Sequence, residues 1–437
     1  MQTKLDLITQ IARRNPQEHI NNVAYLLNEE NLRECFDQLK KGKATGVDGV
    51  TLEAYESNLE ANLQELVERM RRQAYKPQPV RRTYIPKSNG QKRPLGIPAI
   101  EDKIVQKCMT RILEAIYEVD FLDSSYGFRR GRGCHQALER LDKIIMTKPV
   151  NHIIDADIKG FFDHVDHDWM CKFLEHRISD PNFIRLVKRF LRNGYMEEGK
   201  VHQVEEGTPQ GGNISPMLAN IYLHYVLDLW VEKAIKAKSK GVVEMVRYAD
   251  DFVICVEHES EAVAILEVLR KRLAKFGLEL AEDKTRCIEF GRKAKRKAEA
   301  KGEKPASFVF LGFTHFIDKT RKGGFKVGRK TERKRMAQKL KAMGEWFRKV
   351  RNLFPLKEIW QTFKAKLSGH FQYYGVSGNY RAINSYRYHS ILLAMKWLNR
   401  RSQKKSFNWE TFCKYMERFP LPKARICYSF YKPKAIA

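Results

Sequence analysis

A chain of 437 residues with 43% hydrophobic and 11% aromatic content is globular, too long for one ordinary core, and implies about two to four domains rather than wholesale disorder. No apolar run approaches the ~18 residues that a membrane span needs, and Met1-Gln2-Thr3-Lys4-Leu5-Asp6 has neither the layout of a secretory signal nor the acid-free composition of a transit peptide, so a cytoplasmic protein without membrane partners is expected. The net charge of +29 is confined to one region, because residues 291–437 hold 37 Lys+Arg against 8 Asp+Glu while residues 1–290 hold 44 against 44, which points to a polyanion partner.

Taken in order, residues 1–80 read as helical, with Leu52, Leu59, Leu63 and Val67 at helical spacing and a turn at Gly46–Val50. Two β-type runs then flank Asn89-Gly90, which predicts a hairpin. Its flanks bring Lys87 and Arg93 together, either as a grip for a triphosphate or as an ordinary basic hairpin. Ser125-Tyr126-Gly127-Phe128-Arg129-Arg130 interleaves aromatics and arginines, a pattern suited to a nucleic-acid strand, although Tyr126 and Phe128 fit a core equally well. Ile153-Ile154 opens a strand, and period two puts Asp155 and Asp157 on one face, so spacing does not choose between them. Phe161 and Phe162 follow, one of them expected in the core. Gly207-Thr208-Pro209-Gln210-Gly211-Gly212 is a glycine-rich loop ahead of an apolar helix, without the Lys-Ser/Thr ending of a Walker loop.

Val246 to Val256 predicts a strand-turn-strand hairpin whose tip carries Asp250 and Asp251. Adjacent carboxylates repel and are costly to desolvate, so their placement between apolar runs suits a hard divalent cation, with a solvated acidic turn as the bland alternative. Helical periodicity returns from Ala262 through Leu273. Lys293–Lys304 reads as a charged surface loop, and Phe308–Phe313 as a strand with core side chains. Three basic helices are expected at 331–353, 356–374 and 380–401, the first with an apolar stripe of Met336, Leu340, Met343, Trp346, Phe347 and Val350. The eight cysteines include no C-x-x-C pair, which argues for reduced thiols rather than zinc or disulfides.

Asp157-Ile158-Lys159-Gly160-Phe161-Phe162-Asp163, Gly207–Gly212 and Tyr248-Ala249-Asp250-Asp251, in that order, resemble three core blocks of group II intron reverse transcriptases. Lys41–Gly49 is similar to that family's extension block, and Ser125–Arg129 matches another block except that Arg130 stands where proline is usual. Gly369–Arg381 and Trp397–Gln403 resemble its thumb, or maturase X domain. The resemblance implies an α+β right-hand polymerase: an N-terminal extension (1–80), fingers and an antiparallel palm (81–315), a helical thumb (325–403) and a basic C-terminal segment (404–437). It implies RNA-directed DNA synthesis on an intron RNA template with a DNA primer and dNTPs, splicing assistance, and retromobility.

By the same resemblance Asp157, Asp250 and Asp251 are the catalytic carboxylates and hold two magnesium ions, or manganese. Lys87 and Arg93 grip the triphosphate, Phe162 senses the sugar and Gln210 touches the nucleotide. Lys284, otherwise a surface lysine, assists the leaving pyrophosphate, although the asparagine usual near Ala281 or Glu282 is missing. Arg129, Arg381, Arg400 and Arg401 are expected on the RNA. The absence of a Cys-bearing module near the end suggests the short bacterial type without an endonuclease domain. Two other readings are a splicing-only RNA-binding cofactor and a domesticated relative in DNA repair or phage defence.

Overall fold

The computed structural model describes residues 2–15, 18–86, 92–208, 211–401 and 407–431. In chain order the elements begin with helices α1 (Gln2–Arg14), α2 (Glu29–Asp37), α3 (Leu52–Glu56) and α4 (Leu59–Arg71), then strands β1 (Val80–Pro86) and β2 (Lys92–Ile97). Next come α5 (Ile100–Tyr117), α6 (Cys134–Thr147), β3 (His152–Asp157), α7 (His167–Glu175), α8 (Pro181–Leu191), β4 (Tyr195–Glu197), β5 (Lys200–His202) and α9 (Ser215–Leu223). Two π-helical turns (His224–Asp228 and Val231–Ile235) lead into the short α10 (Lys236–Lys238). The remainder is β6 (Val243–Tyr248), β7 (Asp251–Val256), α11 (Glu259–Ala274), β8 (Arg286–Glu289), α12 (Arg292–Lys301), β9 (Phe308–Phe310), β10 (Phe313–Lys319), β11 (Phe325–Thr331), α13 (Arg333–Val350), α14 (Leu356–Tyr374), α15 (Tyr380–Leu398) and α16 (Trp409–Arg418). This is an α+β protein with sheets ordered β2-β1-β4-β5, β6-β7-β3-β8 and β11-β10-β9. Among the described residues no helix is long and apolar enough to cross a membrane.

Contacts gather the chain into two compact units that are discontinuous in sequence: residues 1–133, 156–254 and 260–286 form one, and residues 134–155, 255–259 and 287–437 the other. In the first, α5 is the central rod. Its Ile104, Val105, Cys108, Met109, Ile112, Leu113 and Ile116 are fully buried against α1, α2 and α9. The two expected strands pair in an antiparallel ladder, with Ile85 opposite Arg93, and the Asn89-Gly90 connection lies outside the described residues. The Lys41–Gly49 segment is tied to this region through Lys103 Nζ, which donates to the Ala44 carbonyl at 2.8 Å, and through Arg81, which donates to the Thr45 carbonyl.

One carboxyl in this unit is deeply buried without a cationic partner among the described residues. Asp102 on α5 is buried, accepts from the Tyr75 hydroxyl and from the Gln78 amide, and is pushed up to about 7 mainly by desolvation. A carboxyl whose folded pKa exceeds its unfolded value of about 3.9 gives its full stabilisation below pH 4 and loses it as pH rises through about 7. Asp102→Asn is therefore expected to flatten the stability decline between pH 5 and pH 8 by about 2–3 kcal/mol, the share of the shift that lies between pH 5 and about 7. Urea midpoints of both proteins at the two pH values check this. Parallel declines would show that Asp102 is not the titrating group.

In the second unit α13 packs on α15, and α14 joins them, as the three expected basic helices. Met343, Phe347 and Val350 of the α13 stripe are buried, whereas Met336, Leu340 and Trp346 are half-buried. Two expectations are corrected here. The run Phe308–Phe313 is not one strand but a strand, a tight turn at Leu311-Gly312 and the start of β10, with Phe308, Phe310 and Phe313 all in the core. The charged stretch from Lys293 is not a loop but helix α12. Alanine, lysine, arginine and glutamate are strong helix formers, and Gly302 at φ +68° closes the last turn by donating to the Ala298 and Glu299 carbonyls.

Candidate active site

The acidic hairpin forms as its sequence dictates. β6 and β7 are almost wholly buried, and Ala249-Asp250 make the two-residue connection. Ala249 adopts φ +58°, a left-handed conformation that costs a non-glycine residue about 1 kcal/mol or more and persists only when its surroundings hold it. The surroundings do so through Arg247, whose side chain is completely buried. Its guanidinium donates to the Ala249 carbonyl at 2.9 Å, to Asn220 Oδ1 at 3.1 Å, to Ser125 Oγ at 2.8 Å, and in fork geometry to both carboxylate oxygens of Asp228 at 2.7 and 2.6 Å. Asp228 is itself fully buried and sits at the end of a π-helical turn, an irregularity that changes which face of the helix a side chain leaves from.

The Ser125–Arg129 block braces the same hairpin from outside. Tyr126 donates its backbone N–H to the Arg247 carbonyl at 2.9 Å, and Arg247 donates back to the Ser124 carbonyl at 2.8 Å. A side chain at Gly127 would come 2.3 Å from the backbone nitrogen of Ala249, so only glycine lets the two segments touch. Tyr126 is core and Phe128 is exposed, which resolves that pair. Arg129 corrects an expectation: its side chain is 2% exposed, and its donors are taken up by Glu118 and by the Phe121, Leu122 and Ser125 carbonyls. It holds the loop and is not available to RNA. The exposed cation of the block is Arg130.

Asp157 closes β3, with Asp155 two residues earlier on the same face and equally half-buried. Asp157 Oδ2 accepts from Lys284 Nζ at 2.5 Å, which raises the lysine above its ordinary pKa. Asp250 is raised above the usual carboxylate range chiefly by burial and further by the negative charge of Asp157, while the cationic Arg93 and Arg247 oppose the rise. Asp157, Asp250, Lys284 and Arg93 thus share one electrostatic neighbourhood. Among the described residues no three His, Cys, Asp or Glu side chains converge as a ready metal cage. The donors at hand are carboxylate oxygens, the hard ligands that magnesium and manganese prefer, and the repulsion between Asp157 and the desolvated Asp250 is what a divalent cation relieves.

Phe161 and Phe162 lie in a 3-10 turn rather than an extended segment, and they part company there: Phe161 is in the core against Tyr222, whereas Phe162 is half-exposed and lines a cavity of about 300 Å³ with Arg82, Pro94 and Thr208. The glycine loop is locked to this turn. Gly207 donates to the Val165 carbonyl and Thr208 to the Phe162 carbonyl at 2.7 Å, and at φ +89° a side chain on Gly207 would strike the Phe162 and Asp163 carbonyls. Two motifs 45 residues apart therefore form one wall. Lys87 and Gln210 lie outside the described residues. Arg381, Arg400 and Arg401 are exposed, with the Arg400 guanidinium 5.2 Å from the Trp397 ring centre.

Sequence reasoning missed the Arg247, Asp228 and Asn220 network. The available signal was a lone arginine in a strand otherwise fit for burial, Val243-Glu244-Met245-Val246-Arg247-Tyr248, since a guanidinium in such a place must be paired.

Residues 85–315 match the family model described as reverse transcriptase (RNA-dependent DNA polymerase). The group II intron-encoded protein LtrA of Lactococcus lactis is 28% identical over 86% of this chain and 74% of its own length. Protein YkfC of Escherichia coli is 36% identical over 66% of this chain and 80% of its own length. The putative COX1/OXI3 intron 1 protein of Saccharomyces cerevisiae is 35% identical over 52% of this chain and 27% of its own length.

Proposed function

This chain belongs to the reverse transcriptase family and is an RNA-directed DNA polymerase, and we propose that it works with Asp157, Asp250 and Asp251 as ligands of two magnesium ions while binding and helping to splice a group II intron RNA. The observation that carries the site assignment is the meeting of Asp157, Asp250, Lys284 and Arg93 around one strand end and one hairpin tip. Bound divalent ions supply charge neutralisation at the attacking and leaving oxygens. Asp157, Asp250 and Asp251 hold those ions; Arg93, with Lys87, orients the triphosphate. Lys284, already protonated beside Asp157, is placed to give a proton or a positive charge to the departing pyrophosphate. Arg381, Arg400 and Arg401 contact RNA phosphates, in keeping with the +29 carried by residues 291–437. Intron RNA binding, DNA primer use and retromobility belong to the same proposal, supported by the likeness to intron-encoded relatives.

Primer extension with dNTPs and magnesium on an RNA template, run beside filter binding of the same RNA, tests the reading. DNA synthesis is expected. Tight RNA binding without synthesis under any divalent ion would leave only the splicing-cofactor role. Phe162, walling the cavity with the glycine loop, is the sugar sensor in this proposal. Phe162→Ala is expected to raise rNTP use relative to dNTP roughly 10- to 100-fold, the range one steric contact supplies. Competing kcat/KM values for dCTP and rCTP measure it, and an unchanged ratio would remove Phe162 from that role.

A further inference from the structure

Helix α12 owes its conformation to strong local helix formers, not to burial. Only Ala294, Lys295 and Ala298 are buried, so its apolar contact with the rest of its unit is slight. It is nevertheless built in. Lys295 reaches under the helix and donates from Nζ to the Gly323 carbonyl at 2.6 Å, in the turn between β10 and β11. Lys319 of β10 pairs with Glu299 at 2.9 Å, and the Arg292 guanidinium lies 5.2 Å from the Phe325 ring centre. Helix and hairpin tip thus form a single platform. Its outer face presents Lys293, Arg296 and Lys301 from the helix and Arg321 and Lys322 from the tip, all exposed. Among the described residues no carboxylate stands within ion-pair distance of any of these five. Fixing five like charges on a rigid surface carries a standing repulsion, which a polyanion relieves.

We infer that the platform made by α12 and the β10–β11 turn is a docking surface for the phosphate backbone of an RNA duplex. The exposed residues of the helix and the Thr320–Gly324 turn include no aromatic side chain, so the surface lacks the exposed rings on which single-strand binders stack successive bases. A rigid array of lysines and arginines instead matches recognition of a duplex by shape and phosphate position. The choice of RNA over DNA rests on the reverse-transcriptase reading.

The test uses the full chain, a fluorescently labelled blunt RNA duplex of about 16 base pairs, and excess unlabelled primer-template. Anisotropy is followed from 50 to 200 mM salt. The triple variant Lys293→Gln/Arg296→Gln/Lys301→Gln is expected to weaken duplex binding at least ~10-fold and to lower the salt slope by about 3, one for each phosphate that is no longer neutralised. The pair Arg321→Gln/Lys322→Gln, which lies outside the helix and cannot unfold it, is expected to lower the slope by about 2. Primer extension on a short RNA template should be unchanged in both. Unaltered affinity and slope in both variants would overturn the proposal, and an equal loss on a DNA duplex or on single-stranded RNA would overturn the assignment to duplex RNA. If the wild-type chain makes no DNA, the polymerase reading fails separately, because duplex binding is scored without nucleotides.

Discussion

Replacing Asp250 and Asp251 by asparagine is expected to lower the rate of DNA synthesis by at least ~10³-fold while leaving the fold and RNA binding in place. Amides keep the size of the side chains and lose their charge, so the variant loses several kcal/mol of stabilisation that metal-held carboxylates give a phosphoryl transition state, at ~1.4 kcal/mol per factor of ten. The fold should tolerate the change, and can even gain from it, because Asp250 is raised by burial and by the charge of Asp157. Relieving that repulsion removes a cost in the free protein. Single-turnover extension beside denaturation midpoints separates the two effects. A variant that keeps its stability and also keeps a tenth of wild-type synthesis would mean that the acidic hairpin is not the metal site. A stable, inactive variant that still promotes splicing of an intron RNA would divide the polymerase from the maturase role.

Local chemistry made the hairpins and the long helices legible from sequence. Two neighbouring β-type runs, an acidic pair between buried strands, and apolar stripes in basic helices each announce themselves within about twenty residues. What stayed hidden was decided by partners distant in sequence. Arg129 looked like a phosphate contact because an arginine beside aromatics in a loop usually faces out, and only Glu118 with three carbonyls, reached through the fold, turns it inward. Helix α12 looked like a loop because so little of it is apolar: its helix formers and closing Gly302 are local, but only a turn 28 residues away shows where Lys295 is pinned. Phe161 and Phe162 needed the resemblance to be told apart, since period two did not apply in a 3-10 turn. The same limit explains Asp155 and Asp157, which stand on one face with similar exposure, and which differ where Lys284 meets Asp157.

Arg247→Met is expected to cost about 3–5 kcal/mol of stability, because it strands the fully buried Asp228 without its partner. Adding Asp228→Leu should return much of that loss, since a buried ion pair replaced by packed apolar side chains is often close to neutral. Synthesis should behave differently. The Ala249 carbonyl, on the left-handed residue of the turn, is held by Arg247 and not by Asp228. With the guanidinium gone, that turn relaxes toward an unstrained conformation and carries Asp250 and Asp251 away from Asp157, whatever the pairing state of residue 228. The double variant is thus expected to be folded, with a denaturation midpoint near wild type, yet to extend primers with a kcat at least ~10²-fold lower, the penalty for about 1 Å of misplacement. Its KM for dNTP, which the proposal assigns to Arg93 and the glycine-loop wall, should move far less. If stability and kcat return together in the double variant, the arginine serves only to neutralise Asp228. If kcat alone stays low, it is the residue that sets the position of the catalytic carboxylates.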